Sequence, residues 1–154
     1  MTGPVEVLLD LLFPPKCVFC RKLLHKGEEG LCASCRSGLP WTLAGEAEQC
    51  PEFVSLCVSP LWYQDDVRAS FHRYKFQGSR GYAKTYGRLV ARCVREHLAG
   101  RYDLITWVPL SPERLKKRGY DQAMLLAMAA ALELEDVAVE TLRKVRNAEA
   151  QSGV

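Results

Sequence analysis

Hydrophobic residues follow helical spacing through much of this chain. Val5, Leu8, Leu9 and Leu12 fall on one face of a short amphipathic helix within 1–15, which Pro14-Pro15 ends. Val67, Phe71 and Tyr74 stand at i, i+4 and i+7, with Asp65 or Asp66 as a cap and Gly78 as a stop. A longer pattern predicts a helix over 82–98 that buries Tyr86, Leu89, Val90, Cys93 and Val94 and ends before Gly100. Its opposite face carries Lys84, Arg88, Arg92 and Arg95. Residues 122–132 (QAMLLAMAAAL) are apolar almost all round, which predicts a helix covered on most sides.

Strand signals are fewer. DLITWV at 103–108 is short, apolar and rich in β-formers. A second strand is expected within 56–63, where Pro60 restricts it to an edge or a bulge, and a third at 137–139. Between them 109–120 (PLSPERLKKRGY) reads as a basic loop. The order strand, loop, helix, strand predicts an α/β domain with a parallel sheet over 56–154. Two or three strands fall short of the four to six usual in a sheet, and the tail RKVRNAEAQSGV is polar. The sheet is therefore expected to be incomplete, as part of a longer protein.

Residues 16–40 show little periodicity and hold Gly27, Gly30 and Gly38, and 41–55 read as a polar connection. A segment with so little core needs another source of order, and its cysteines supply one. Cys17-x2-Cys20 and Cys32-x2-Cys35 are separated by eleven residues. Each CxxC turn offers two thiolates about one tetrahedral edge apart, and two turns close a four-sulfur zinc site with no open position for water. Such a site is structural, and its binding free energy folds what surrounds it. A thioredoxin-like redox pair is the competing reading, but that motif should follow a strand and open a helix. Cys50 and Cys57, a C-x6-C pair, read as buried thiols rather than a second metal site, and Cys93 as core. His25, His72 and His97 receive no catalytic role.

Composition changes this picture little. With 48% hydrophobic and 25% charged residues, the 154-residue chain is ordinary for a globular protein, with room for one domain and a small appendage. The net charge of +3 hides an asymmetry. From Val67 to Tyr120 there are 13 Lys/Arg against three acids, and the remainder holds 8 against 15. That is either a surface meeting an anion or a solvated basic helix face. Glu6 and Asp10 interrupt the only apolar N-terminal stretch, which is too short to span a membrane. A cytoplasmic protein is the default expectation, and there closely spaced cysteines favour metal over disulfides.

A loop after a parallel strand and before a helix is where open α/β sheets bind ligands. Backbone amides and the helix dipole favour phosphate there, and Arg114, Lys116, Lys117 and Arg118 add charge. Gly119 lets the backbone approach an anion.

LLDLLFPPKCVFC, YKFQG, WVPLSPERLKKRGYDQA and LRKVRNAEAQSG, in that order, resemble the ComF family of competence proteins linked to DNA uptake. The resemblance implies a zinc ribbon followed by a type I phosphoribosyltransferase-like domain. The family's VPLxxxRxxxRGxNQ segment, its pyrophosphate-binding loop, matches 108–122. That makes Arg114, Lys117, Arg118, Gly119 and Gln122 the candidate anion-binding residues. Asp121 stands where the family commonly has Asn. Residues 143–151 match its flexible catalytic loop, with Ala148 and Ala150 replacing the commoner Thr and Pro. The family's LVDDVxTTG-like motif, whose two acids bind the ribose hydroxyls and whose following loop holds the 5′-phosphate, does not occur within the 154 residues. Phosphoribosyl pyrophosphate, and any magnesium with it, is thus expected only for a longer form, and the enzyme question stays open. Competence-machinery proteins or single-stranded DNA are the expected partners. A zinc-ribbon module that binds single-stranded nucleic acid is the alternative reading, motivated by the Arg88/Arg92/Arg95 stripe.

Overall fold

The computed structural model describes residues 12–42 and 45–145. Most of the helix expected within 1–15 and most of the 143–151 loop lie outside the described residues. The chain divides into two compact units, Met1–Arg73 and Tyr74–Val154.

In the first unit, Lys16 bridges Leu23 in an antiparallel turn, and a short helix, α1, spans Ala33–Gly38. Strands β1 (Glu48–Gln49) and β2 (Cys57–Val58) pair antiparallel, with Gln49 opposite Cys57. Trp41 bridges Leu61 beyond them. The strand expected within 56–63 is thus broken into two pieces around Pro60, which has no N–H for a ladder. The stretch read as a connection supplies their partners. Helix α2, Asp65–Phe76, starts in this unit, buries Val67 and half-buries Phe71 on the predicted face, and ends in the second unit with Tyr74 buried. Cys50 and Cys57 are exposed, contrary to the buried thiols expected, because a two-residue ladder has no second layer to cover them.

The second unit is built on α3, Tyr82–His97, packed against α5, Gln122–Glu133. The face α3 buries is Ala83, Gly87 and Ala91, with Tyr86 and Cys93; Leu89, Val90 and Val94 are half-buried. Small residues at i, i+4 and i+8 let the two backbones approach. A Cβ added at Gly87 would lie 2.6 Å from Ala129 Cβ and 2.7 Å from Ala129 C. Bulky residues attracted the sequence reading, but close approach decided the face. A tyrosine cluster completes this core. Tyr74 meets Tyr86 edge-on at 5.3 Å and Tyr120 at 6.0 Å. Its hydroxyl donates to Gln122 O at 2.7 Å, and the Tyr120 hydroxyl donates to Tyr74 O. Burial pushes both phenols up.

Helix α5 is less covered than its composition predicts. Gln122, Ala130 and Ala131 are buried, whereas Met128 is 53% and Leu132 78% exposed. One helix covers one face, and an all-round apolar helix needs more. The two segments expected as parallel strands do meet in parallel, at the single bridge Ile105↔Ala138, where Val139 N donates to Ile105 O at 2.9 Å. Thr106 and Thr141 hydroxyls lie 2.8 Å apart beside it. Among the described residues the sheet proper is the two-stranded antiparallel one, and the chain has a mixed helix and strand fold with a small N-terminal zinc-binding region. No helix of the described residues is long and apolar enough to cross a membrane.

Candidate metal centre and anion segment

The Cys17–Cys20 turn is closed by its own backbone. Cys17 N donates to Lys22 O at 2.9 Å, Arg21 N to Cys17 O at 3.0 Å, and Val18 N to Gly30 O at 2.9 Å. The last bond ties this turn to the approach of the second CxxC. There Cys32 is the N-cap of α1 and its Sγ accepts Cys35 N at 3.4 Å, while Cys35 lies on the helix. Glu28 braces the connection, with one carboxylate oxygen taking His25 N at 2.8 Å and the other Ala33 N at 2.7 Å. Val18, Phe19, Leu31 and Leu39 are buried around the sulfurs.

All four Sγ atoms of Cys17, Cys20, Cys32 and Cys35 lie within 4.8 Å of one another. A tetrahedral zinc with Zn–S of about 2.3 Å requires sulfur–sulfur edges of about 3.8 Å. The Cys20–Cys32 edge is 3.6 Å and no edge exceeds 4.8 Å, so the donor set is close to that tetrahedron. Three ligands are buried and Cys20 is half-buried, which leaves no open side for a reacting water. The site is a structural zinc centre. Burial pushes the Cys17 thiol up, but N–H groups of Cys32, Cys20 and Phe19, with the Cys20 thiol, more than offset this and hold it at about 7. Burial, and then hydrogen bonds with the other three cysteines, push Cys35 up. Four crowded thiols do not all ionise unaided, and bound zinc supplies the compensating charge.

Two residues outside the cysteine segment touch this site. Ser70 Oγ donates to Val18 O at 2.5 Å, and Arg73 Nη2 donates to Val18 O at 3.0 Å and to Phe19 O at 2.5 Å. The sequence carried a faint sign of them. Ser70 is a polar residue on the apolar face between Val67 and Tyr74, and such a residue needs a partner.

The expected basic loop is a helix for most of its length. Helix α4 spans Pro112–Arg118, with Ser111 as N-cap, Pro at its first position and Gly119 as a left-handed cap at φ 76°. S-P-E-R is a capped helix start, and the density of charge masked it. Arg114, Lys117 and Arg118 lie on α4, Gly119 closes it and Gln122 opens α5. Arg118 donates to Gln122 Oε1 at 2.8 Å and stacks 4.8 Å from the Phe76 ring centroid. Gln122 is buried, and its amide nitrogen donates to Lys75 O at 3.4 Å. Arg80, which sequence reasoning missed, donates to Gly119 O at 3.1 Å and lies over Tyr120.

The N-terminus of α5 already holds a negative group. One oxygen of the buried Asp121 carboxylate accepts Ala123 N at 2.9 Å and Met124 N at 3.0 Å, and the other accepts Leu110 N at 2.7 Å. The arginine stripe of α3 has partners of its own. Arg88 pairs with Glu133 at 3.1 Å and Arg92 with Glu96 at 2.7 Å, while Arg95 donates to Glu133 O.

Comparison with known proteins agrees with this arrangement. Residues 8–58 match the double zinc ribbon domain family. The chain is similar to Competence protein F of Haemophilus influenzae, 28% identical over 131 residues. That alignment covers 73% of this chain, more than either unit alone, and 57% of the relative, so the chain spans little more than half of that protein's length. No solved structure matches. A zinc ribbon at its start and a likeness that takes in residues of both units support assignment of the chain to the ComF family.

Proposed function

We propose that this chain serves DNA uptake as a ComF-type protein, with the zinc ribbon as a structural module and the second unit as part of a phosphoribosyltransferase-like domain. The carrying observation is the four-thiol centre at the head of a chain similar to Competence protein F over 73% of its length. The parallel bridge between Ile105 and Ala138, flanking α4 and α5, supports a parallel α/β sheet as the plan of the second unit. Arg114, Lys117, Arg118, Gly119 and Gln122 are its proposed anion segment.

In this reading the chain alone does not transfer phosphoribosyl groups. Displacement of pyrophosphate requires charge and positioning on both the pyrophosphate and the ribose phosphate. The 154 residues hold no LVDDVxTTG-like motif for the second. The α4–α5 segment also commits Arg118 and Gln122 to each other and seats Asp121 at the helix end. Disrupting the gene in its own host tests the proposal, and the Cys17→Ser chain tests the ribbon within it. Loss of transformation in both supports the reading, and unchanged DNA uptake in the disrupted strain overturns it. Release of pyrophosphate from phosphoribosyl pyrophosphate by the purified chain would overturn the statement about transfer.

A further inference from the structure

A CxxC turn serves a metal only if its peptide groups face the sulfurs correctly. Here the Cys17 sulfur receives the backbone N–H groups of Phe19 and Cys20, and that of Cys32 from the other turn. The Phe19 N–H shares a peptide unit with the Val18 carbonyl, and the Cys20 N–H shares one with the Phe19 carbonyl. A trans peptide unit is planar, so its N–H and C=O point in opposite directions and rotate together. Those two carbonyls are the ones held from α2, Val18 O by Ser70 Oγ and Arg73 Nη2, and Phe19 O by Arg73 Nη2. Ser70 is fully buried. Arg73 Nε is buried and finds no hydrogen-bond partner among the described residues. A guanidinium that leaves one buried donor unsatisfied while giving another nitrogen to two carbonyls is placed for those carbonyls.

We propose that Ser70 and Arg73 are positioning residues of the zinc site, holding the Val18–Phe19 and Phe19–Cys20 peptide units so that their N–H groups face the Cys17 sulfur. Four thiolates around one divalent zinc leave an excess of negative charge, and N–H donors spread it. Neither residue touches the metal. They act through the backbone of the first turn, which makes the functional zinc module longer than its cysteine segment. The inference rests on the zinc reading and adds an outer layer to it.

The experiment uses the full chain, loaded with zinc for affinity and with cadmium-113 for spectroscopy. Competition with a chromophoric chelator should show zinc held about 10–100-fold more weakly by Arg73→Ala, the usual cost of removing an outer-layer partner. Ser70→Ala should lose less. Arg73→Lys keeps a cationic donor and should recover part of the loss. In the cadmium form, the Phe19 and Cys20 amide protons should couple to the metal through their N–H···S bonds. That coupling should shrink in Arg73→Ala while the Cys32 amide keeps its own. General destabilisation would not discriminate among the three amides. A wild-type chain that binds no zinc would refute the zinc reading itself. A wild-type chain that binds one zinc, with Arg73→Ala binding it equally well, overturns only the clamp. So does weaker binding with the Phe19 and Cys20 couplings unchanged, or with all three amides changed alike. If Arg73→Ala does not fold, Ser70→Ala and Arg73→Lys carry the same amide comparison.

Discussion

The two units of this chain reach order by different physical routes. The first has two-residue strands, a six-residue helix and four sulfurs gathered at its centre. The second has a sixteen-residue and a twelve-residue helix in close contact, with tyrosines beside them. Where elements are too short to bury a core, a metal supplies the missing free energy, and where helices are long enough, small residues let backbones approach. The contrast teaches that this one chain has two separable sensitivities, one to chelation and one to side-chain volume.

The largest effect should come from the metal. Structural zinc contributes an apparent binding free energy of roughly 10–16 kcal/mol at neutral pH. Cys17→Ser, or chelation, should abolish stoichiometric zinc and remove amide protection over 16–42. The helical circular dichroism of α3 and α5 should survive. Loss of that helical signal with the metal would break the comparison.

Next comes Gly87→Ala. Alanine favours a helix over glycine by about 1 kcal/mol, but overpacking costs about 1–3 kcal/mol. With the new Cβ 2.6 Å from Ala129 Cβ, the clash should win and lower the melting temperature of the helical signal. Zinc content should not change. A stabilised variant would show that α3 and α5 shift apart easily.

Asp121→Ala should cost about 1–2 kcal/mol, the upper range for a lost cap, since three N–H groups lose their acceptor. Denaturant unfolding followed by helical signal measures it, and an unchanged midpoint would mean that water replaces the carboxylate fully.

The smallest effect belongs to Glu28→Gln in the first unit. The His25 and Ala33 N–H groups hold this carboxyl below the ordinary glutamate range. Its contribution is therefore fully present above the unfolded value and is lost as pH falls through the lower folded one. The variant should differ most at neutral pH, as faster exchange of the His25 and Ala33 amides with zinc retained.

The zinc centre was legible because four cysteines in two CxxC turns leave few other geometries. The start of α2 and the length of α3 were legible from caps, stops and period. On the buried face of α3, Tyr86 and Cys93 were legible, but Ala83, Gly87 and Ala91 were not, since they act through what they lack. Helix α4 was hidden by charge, although Ser111 and Pro112 announced it. Ser70, Arg73 and Arg80 reach across 39 to 55 positions of sequence, and no local pattern encodes such a partner. The exposure of Cys50 and Cys57 depended on how short their ladder would be.

Asp121 has a consequence for how this protein can change. Its two oxygens serve three backbone donors, a task that suits a carboxylate and not the isosteric amide of asparagine, which has one oxygen and brings two donors of its own. A single substitution therefore separates two states of the same helix end. With aspartate it is neutralised from within and holds its shape unaided. With asparagine it has surplus donors, and the positive potential of the helix end is left uncompensated.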